Sequence, residues 1–527
     1  MNNPTAASIS PRYVSPAPAA IPRAGKPGAP VALSGNNFTL DQIATIAVDG
    51  TDATIDESAW PRISEGRAVV EAIVAEGRPA YGITTGVGSQ KESSVQQTDL
   101  ATFNRRLLAA HATRVPGPTL DPAVVRAAMA VQLNLFATGT SGVRRELVER
   151  LMKRLNENRV PTVDASGSVG ASDLVPLAQL GLGLLEDAPD SVFEPGAKEA
   201  LSLMNSNAIS LGMGSLCLVS ARRLLATLDL AAAVALEGLR GNLGSIAEPV
   251  NRVHGRRGQH ASSSRLRSLL RDSALWYGGE SRFLQDPLSF RCVSQIHGVG
   301  HEVLARAEQV WEVELNAPTD NPLIDRENGA VISHGNMDST ALTAAIDPLR
   351  QILAKICELS GERLHKQHWP AFSGLPTGLA REAGAIGGVQ FLNLSHIAAS
   401  LIASSKIWAT PVLLNSVGQL ADGVEDTAGL AMHAVADLAR VIEAAYKIAT
   451  IELTVGVWAI HRRDIDPGKL GHGVRPVFEA LLPLLPIDRE GEETFSLSPL
   501  IDFVVNGDLV ETAYDAAGID PRTWKAI

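Results

Sequence analysis

The chain has 527 residues and a formal net charge of −11, with an isoelectric point near 5.6. Phosphate binding needs a basic surface, so this balance excludes a protein that binds nucleic acid without specificity. The three cysteines, Cys217, Cys292 and Cys357, lie far apart, which excludes a disulfide framework and a paired-cysteine zinc site. Free thiols are typical of a reducing compartment, and we expect the protein in the cytoplasm.

Residues 1–35 are rich in Pro, Ala, Ser and Gly and contain no apolar core. This composition differs from that of a signal peptide and predicts a disordered tail. The next segment, residues 36–50, reads NNFTLDQIATIAVDG and has the character of a strand followed by a turn. We divide the remaining chain into an N-terminal part, residues 36–220, and a central long-helix bundle with C-terminal helices, residues 221–527.

Apolar residues at three- and four-residue spacing predict helices along most of the chain. The first predicted helices cover residues 67–75, 99–112, 122–137 and 144–158. Five later predicted helices exceed the average length in globular proteins and cover residues 206–239, 293–314, 338–363, 378–408 and 425–459. The long apolar run at 216–239 contains charged side chains that would be costly in a bilayer, so we expect a buried helix. These lengths predict an all-α fold built on a bundle of long helices.

The polar, Gly-rich breaks between these helices carry a series of motifs in a fixed order. They read YGITTGVGS (81–89), NRRLLAAHA (104–112), GSVGASDLVPLA (167–178), LMNSNA (203–208), LQDPLSFRC (284–292), TDNPLI (319–324), SHGNMDS (333–339) and VEDTAGLAM (424–432). Taken together, the motifs resemble those of the aromatic amino acid ammonia-lyase and aminomutase family, which includes histidine ammonia-lyase. The resemblance spans roughly residues 38–460.

The resemblance implies an all-α homotetramer whose active sites are built from loops of three subunits. It also implies elimination of ammonia across the α and β carbons of an aromatic amino acid. The family's usual electrophile is a methylidene-imidazolone, which forms when an Ala-Ser-Gly tripeptide cyclises and dehydrates. In this chain the corresponding cofactor-forming loop reads Ala171, Ser172, Asp173, with no glycine between the serine and the aspartate.

Cyclisation places the backbone in a compact turn in which glycine has a freedom that other residues lack. A second Ala-Ser-Gly at residues 165–167 lies too early in the motif to replace the missing tripeptide. Ser172 and Asp173 would then cap the following helix, which ends near Leu185. The alternative is that the loop cyclises despite the deletion.

A substrate with a quaternary ammonium group does not need the electrophile. Such a nitrogen has no lone pair to add to a methylidene group, and it leaves as a neutral tertiary amine. We therefore expect no cofactor and an ergothionase-type reaction, in which the histidine betaine ergothioneine gives thiol-urocanate and trimethylamine. Two alternatives stay open: a histidine ammonia-lyase or related aminomutase that retains the methylidene-imidazolone, and a catalytically silent bundle protein.

The resemblance assigns roles to residues in these motifs. Tyr81 is the candidate base, on a glycine-rich loop suited to closing over the substrate, and Glu425 is the alternative base. His111 and Glu425 correspond to residues that recognise an imidazole ring in histidine-acting relatives. Arg291 would bind the substrate carboxylate. Ser172 is a further catalytic candidate, and the remaining substrate-binding candidates supply hydrogen bonds: Asn205, Gln285 and Asn336.

Three residues depart from the family pattern: Leu288, Met337 and Val424 stand where tyrosine, phenylalanine and glutamine are common. Replacing two rings would enlarge the pocket for a methylated ammonium, although aromatic rings would have held such a cation well. Pairs of histidines occur at 297 and 301 and at 365 and 368, but neither pair has the surrounding pattern of a zinc-binding helix. We expect no metal.

Overall fold

The computed structural model describes residues 28–185, 193–384, 391–486 and 494–521. Most of the predicted tail, residues 1–27, lies outside these ranges. Ordered structure begins earlier than the sequence indicated, because β1, Val31–Leu33, pairs in parallel with β2, Ala53–Ile55. This pairing fixes residues that the prediction had assigned to the tail.

The segment interpreted as strand-like forms helix α1, Leu40–Ala47. Thr39 accepts a hydrogen bond from the Gln42 backbone N–H, and the Gln42 side chain accepts one from the Thr39 backbone N–H. This reciprocal pair is a capping box, which satisfies backbone donors that the first turn leaves unpaired. The strand prediction was therefore wrong, since the local cap decides the conformation.

The described residues form a mainly helical structure with one short antiparallel hairpin besides the β1–β2 pair. The hairpin strands are β3, Leu323–Asp325, and β4, Ala330–Ile332. After α1, the α-helices in chain order are α2 Ala59–Glu76, α3 Leu100–His111, α4 Pro122–Ala137, α5 Arg145–Asn156, α6 Leu174–Leu185, α7 Glu199–Met204, α8 Ala208–Leu239, α9 Glu248–Arg252, α10 Arg257–Leu269, α11 Leu288–Arg291, α12 Val293–Leu315, α13 Thr340–His368, α14 Pro370–Ser373, α15 Leu394–Trp408, α16 Ala431–Arg462, α17 Val474–Leu481, α18 Ser498–Asn506 and α19 Leu509–Ala516.

Four long helices, α8, α12, α13 and α16, pack against one another as the central bundle. α8 and α16 each have 32 residues, and nearly all of α8 is buried. Its buried Arg223 is paired with Glu511 at 2.8 Å. The predicted all-α bundle and the predicted buried helix are thus confirmed. Among the described residues, no helix combines the length and apolarity that crossing a membrane requires.

Two predicted long helices begin later than expected. The helix predicted at 378–408 is α15, which starts only at Leu394, because positive φ angles at Gly378, Leu379 and Gly384 break the preceding chain. The helix predicted at 425–459 is α16, which starts at Ala431 after Leu430 in the left-handed region. The domain division predicted at residue 220 lies inside α8 and remains a prediction.

Candidate active site

One cavity of about 810 Å³ gathers residues from motifs that are far apart in the sequence. The residues at its wall come from the glycine-rich loop, α3, the Ala-Ser-Asp loop, the end of α7 and three later loops. The residues singled out from sequence that line it are Tyr81, His111, Ala171, Asn205, Met337, Val424 and Glu425. The structure therefore places both base candidates and both ring-binding candidates around a single space.

Tyr81 is half-buried and held by its own loop. Its phenolic oxygen accepts a hydrogen bond from the Gly88 backbone N–H at 3.1 Å. Gly82 has a φ of +65°, and a Cβ there would come within 2.3 Å of Leu201. The positive φ favours glycine, so the turn that presents Tyr81 to the cavity depends on this residue.

His111 is the last residue of α3, and its ring has a defined tautomer. Its Nδ1 lies 2.9 Å from the Leu107 carbonyl oxygen. A carbonyl oxygen only accepts, so Nδ1 carries the proton, and in the neutral ring Nε2 is left as an acceptor. The side chain can thus receive an N–H from a ligand in the cavity.

Glu425 lies in a tight turn that precedes α16. Leu420 and Glu425 exchange backbone hydrogen bonds at 2.8 and 3.2 Å, and Asp422 between them has a φ of +56°. The turn brings Glu425 and Val424 to the cavity wall beside Gly88 and its neighbours. The carboxylate adds a second acceptor to the site.

The Ala-Ser-Asp loop lies where three long helices begin. The Gly170 carbonyl oxygen accepts from the backbone N–H and the hydroxyl of Ser339, before α13, at 3.1 and 2.7 Å. The Leu430 N–H, before α16, donates to the Val169 carbonyl at 3.0 Å. A Cβ on Gly170 would lie 2.3 Å from the Leu430 nitrogen, so this position also requires glycine. The loop is therefore firmly held on both sides.

Ser172 is buried and has a φ of +68°, and its hydroxyl donates to the Asn205 side-chain oxygen at 2.7 Å. The Asp173 backbone N–H donates to the Ser206 carbonyl at 2.8 Å. The Asp173 carboxylate accepts from Ser168 at 2.6 Å and from the Ser210 N–H and hydroxyl, each at 2.7 Å. Complete burial raises the pKa of Asp173, while these donors act in the opposite direction.

These contacts correct the capping interpretation of Ser172 and Asp173. The Asp173 main-chain carbonyl accepts from Leu177 and so begins α6. Its carboxylate instead binds Ser210, the third residue of α8. The side chain therefore caps α8 and ties the loop to the central bundle.

Behind Asn205 lies an ion pair that the sequence did not reveal. Lys198 and Asp320 are both fully buried, and their charged groups are 2.8 Å apart. Burial lowers the pKa of Lys198, and Asp320 opposes this change. The Asn205 amide nitrogen donates to the carbonyl of Asn321, next to Asp320. The pair thus fixes the segment that orients Asn205, but an isolated lysine gives no sequence signal of this role.

Gln285 and Arg291 lie in a second, separate cavity of about 460 Å³. With its amide turned so that the oxygen faces Arg291, Gln285 accepts from both terminal guanidinium nitrogens at 2.9 and 3.0 Å. Asn336 is exposed and donates its backbone N–H to His334 at 3.0 Å. Leu288 is 64% exposed at the start of α11. A single chain therefore does not bring Gln285 and Arg291 to Tyr81.

The histidine pair at 297 and 301 belongs to a buried polar cluster. His297 and His301 donate to the two oxygens of Asp229 at 2.8 and 2.9 Å. Within the described ranges, no group of three or more His, Cys, Asp or Glu side chains could hold a metal ion. The cluster anchors α12 to α8.

The aromatic amino acid lyase family model matches residues 38–481. This chain belongs to that family. Histidine ammonia-lyase from Anaeromyxobacter dehalogenans is 33% identical over 460 residues, which covers 82% of this chain and 90% of the relative. As a member of the aromatic amino acid lyase family, the protein is a carbon–nitrogen lyase, and the resemblance inferred from the motifs is confirmed.

Solved structures of this lyase family share the fold. Ergothionase from Treponema denticola, in complex with desmethyl-ergothioneine sulfonic acid, is 26% identical with a TM-score of 0.84 over 92% of this chain and 99% of its own. Histidine ammonia-lyase from Trypanosoma cruzi is also 26% identical, with a TM-score of 0.82 over 94% of this chain and 96% of its own. The predicted fold type is therefore confirmed.

Proposed function

We propose that this lyase eliminates trimethylamine from ergothioneine to give thiol-urocanate, and that it does so without a cyclised electrophile. The observation that carries the proposal is the set of contacts made by Asp173. In the family sequence pattern a glycine precedes this aspartate, and here that glycine is absent. The aspartate nevertheless keeps a fully formed set of hydrogen bonds to the first turn of α8.

Ring closure would require the Asp173 nitrogen to attack the Ala171 carbonyl carbon. That nitrogen donates to Ser206, and the Asp173 carboxylate is fixed to Ser168 and Ser210. Moving it would break several buried hydrogen bonds, each of which costs about 1–3 kcal/mol when a buried partner is left unsatisfied. Residues 171–173 therefore do not fit a methylidene-imidazolone, and we derive no step through that group.

The leaving group makes such an electrophile unnecessary. An amino group leaves poorly unless it is activated, whereas a trimethylammonium group already carries its positive charge. When the β proton is removed, the C–H electron pair forms the Cα–Cβ double bond and the C–N bond breaks. The nitrogen keeps its bonding pair and departs as neutral trimethylamine. The base is the phenolate form of Tyr81, whose oxygen accepts a hydrogen bond from the Gly88 N–H; it takes up the β proton and becomes the phenol.

The ring-binding groups also favour a thiolated ring. The ring of ergothioneine exists as a thione with two N–H donors, whereas the neutral ring of histidine has one donor and one acceptor. His111 offers Nε2 as an acceptor, because Nδ1 is bound to Leu107. Glu425 offers a carboxylate on the same cavity. Two acceptors match two donors, so the pair suits the thione.

The substrate carboxylate would be bound by Arg291 and Gln285 of a neighbouring subunit. Their separate cavity in the single chain is consistent with a site completed by assembly. Asn205 lines the Tyr81 cavity. Asn336 is exposed and directly precedes Met337, which also lines it. Both therefore remain candidates for positioning the substrate. The structural likeness to Treponema denticola ergothionase supports this substrate.

Ergothioneine and L-histidine, supplied in parallel to the purified protein, test the proposal. We expect ergothioneine to give an ultraviolet-absorbing conjugated product together with trimethylamine. Turnover of L-histidine to urocanate and ammonia, without turnover of the betaine, would overturn it.

The second candidate is histidine ammonia-lyase, favoured by the names of the relatives that are about a third identical. In that case the loop must form its electrophile despite the deletion. The same pair of substrates separates the two candidates, because only one of them releases ammonia from L-histidine.

A further inference from the structure

One face of α3 forms a continuous wall of the Tyr81 cavity. The residues on it follow the spacing expected for a single helical face. They are Phe103, Arg106, Leu107, Ala110 and His111. Arg106 therefore shares the cavity with His111, five residues away, which corresponds to a rise of roughly 7.5 Å along the helix. An extended arginine side chain can span much of that distance.

Arg106 differs from its neighbour Arg105 in what it contacts. Arg105 binds Glu194 at 3.0 Å and does not line the cavity. The Arg106 side chain makes no hydrogen bond or ion pair with any residue in the described part of the chain. Its guanidinium is thus available to a ligand, and neither the motifs nor the resemblance assigns it a role.

We infer that Arg106 donates to the sulfur atom of a thiolated imidazole ring and so selects sulfur-bearing betaines over the same betaines without sulfur. This inference rests on the proposed function and extends it to one residue. The sulfur of an imidazole-2-thione carries much of the negative charge of the ring. A guanidinium presents several N–H donors in a plane and is weakly hydrated, so it suits a large, soft acceptor.

The position of the sulfur follows from the ring contacts. The carbon that bears it lies between the two ring nitrogens. If His111 and Glu425 accept from the two N–H groups, the sulfur projects between them, away from the betaine end of the substrate. Arg106 is the arginine at the wall of this cavity, on the same helix face as His111. Lys91, on the Tyr81 loop, is the other strongly basic side chain there.

A different role for Arg106 would be to bind the substrate carboxylate. The two roles predict different kinetics, because the carboxylate is present in both betaines and the sulfur in only one. The discriminating quantity is the ratio of kcat/KM for ergothioneine to kcat/KM for N,N,N-trimethylhistidine, its sulfur-free analogue.

The experiment measures this ratio for wild type, Arg106→Ala, Arg106→Lys, Lys91→Ala and Arg105→Ala. A hydrogen bond to a charged group corresponds to roughly a ten- to hundred-fold effect, so Arg106→Ala should lower kcat/KM for ergothioneine by that factor. The kcat/KM of Arg106→Ala for the sulfur-free betaine should stay near the wild-type value. For ergothioneine, kcat/KM of Arg106→Lys should lie between the values of wild type and Arg106→Ala, since lysine keeps the charge and loses the planar donors. Arg105→Ala, the matched control, should not change the ratio.

An equal loss on both betaines in Arg106→Ala would assign the residue to the carboxylate and overturn the inference. No loss on either betaine in that variant, or a change in the ratio confined to Lys91→Ala, would also overturn it. In each of these cases wild type still turns over betaines, so the proposed function stands. Turnover of L-histidine alone by wild type would instead remove the proposed function and the inference together. Thermal unfolding of each variant checks that the exposed substitutions leave the fold intact.

Discussion

The hydroxyl of Ser172 is present in an open loop and is lost when the loop cyclises and dehydrates. In the open loop it donates to Asn205 at 2.7 Å and supports a φ of +68°. Ser172 is then a positioning residue for Asn205 rather than the source of an electrophile. Ser172 is buried, so its hydroxyl depends on this partner within the protein.

Ser172→Ala should therefore retain most of its activity toward ergothioneine. The loss of one hydrogen bond costs about 1 kcal/mol, or roughly a five-fold decrease in kcat/KM. Steady-state kinetics with ergothioneine measure it. Complete loss of turnover in a folded variant would mean that the serine supplies a covalent group.

The sequence predicted most of the individual residues that line the Tyr81 cavity, but not the buried polar residues that hold them in place. Tyr81, His111 and Glu425 could be placed because each lies in a recognisable motif. The role of Asp173 could not, because its carboxylate binds Ser210 of another helix. Arg106 had a usable signal, since it and His111 both belong to the i, i+3, i+4, i+7, i+8 stripe of α3 that begins at Phe103.

Helix α8 carries a carboxyl group whose titration is coupled to packing. Glu237 lies within α8, and its Oε1 accepts from the Gly471 backbone N–H at 2.9 Å. Burial raises the pKa of Glu237 to about 7. The folded protein thus holds a proton that the unfolded chain releases near its ordinary value. The stability that this group contributes is complete at low pH and is lost as pH rises toward and through 7.

Glu237→Gln should remove this pH dependence. Between pH 5 and 8 the wild type should lose up to about 3 kcal/mol relative to the variant, since each pKa unit corresponds to about 1.4 kcal/mol. Thermal unfolding across this range measures the difference in Tm. Glu443→Gln is the control, because Glu443 is half-exposed and paired with Lys447 at 2.7 Å. Parallel curves for wild type and Glu237→Gln would contradict the prediction.

Apolar periodicity located the helices better than it located their ends. It identified α8, α12 and α13 because their patterns are long and uninterrupted. It extended α16 back to residue 425, since the turn before Ala431 depends on Leu420 and Leu430, whose backbone conformations leave no apolar signature. It missed α1, although Thr39 and Gln42 have the spacing of a capping box.

Across the whole molecule, the candidate substrate-binding residues line two separate cavities. Leu284 beside Gln285 is 99% exposed, Leu414 is 84% exposed and Leu288 is 64% exposed. Exposed apolar side chains of this size are typical of surfaces that another chain covers. They support a homo-oligomer in which Arg291 of one subunit completes the Tyr81 cavity of another. Among the sequence-based arguments only the resemblance implied such sharing, because apolar periodicity along one chain carries no information about residues of another chain.

Mixed oligomers test this sharing. Tyr81→Phe and Arg291→Ala should each be inactive alone, because one lacks the base and the other lacks the carboxylate partner. Coexpressed at equal amounts, they should recover about a quarter of wild-type activity, since each site draws the two residues from different chains. Purification through different tags on the two variants isolates the hybrids. Hybrids with no activity would place both residues in the same chain's site.

An uncyclised Ala171–Asp173 loop in an active enzyme is the claim on which the proposed chemistry depends. The mass of the proteolytic peptide that spans this loop, taken from protein that releases trimethylamine from ergothioneine, decides it. We expect the mass of the unmodified sequence. A peptide lighter by two water molecules would show a closed ring and would contradict elimination without a built-in electrophile.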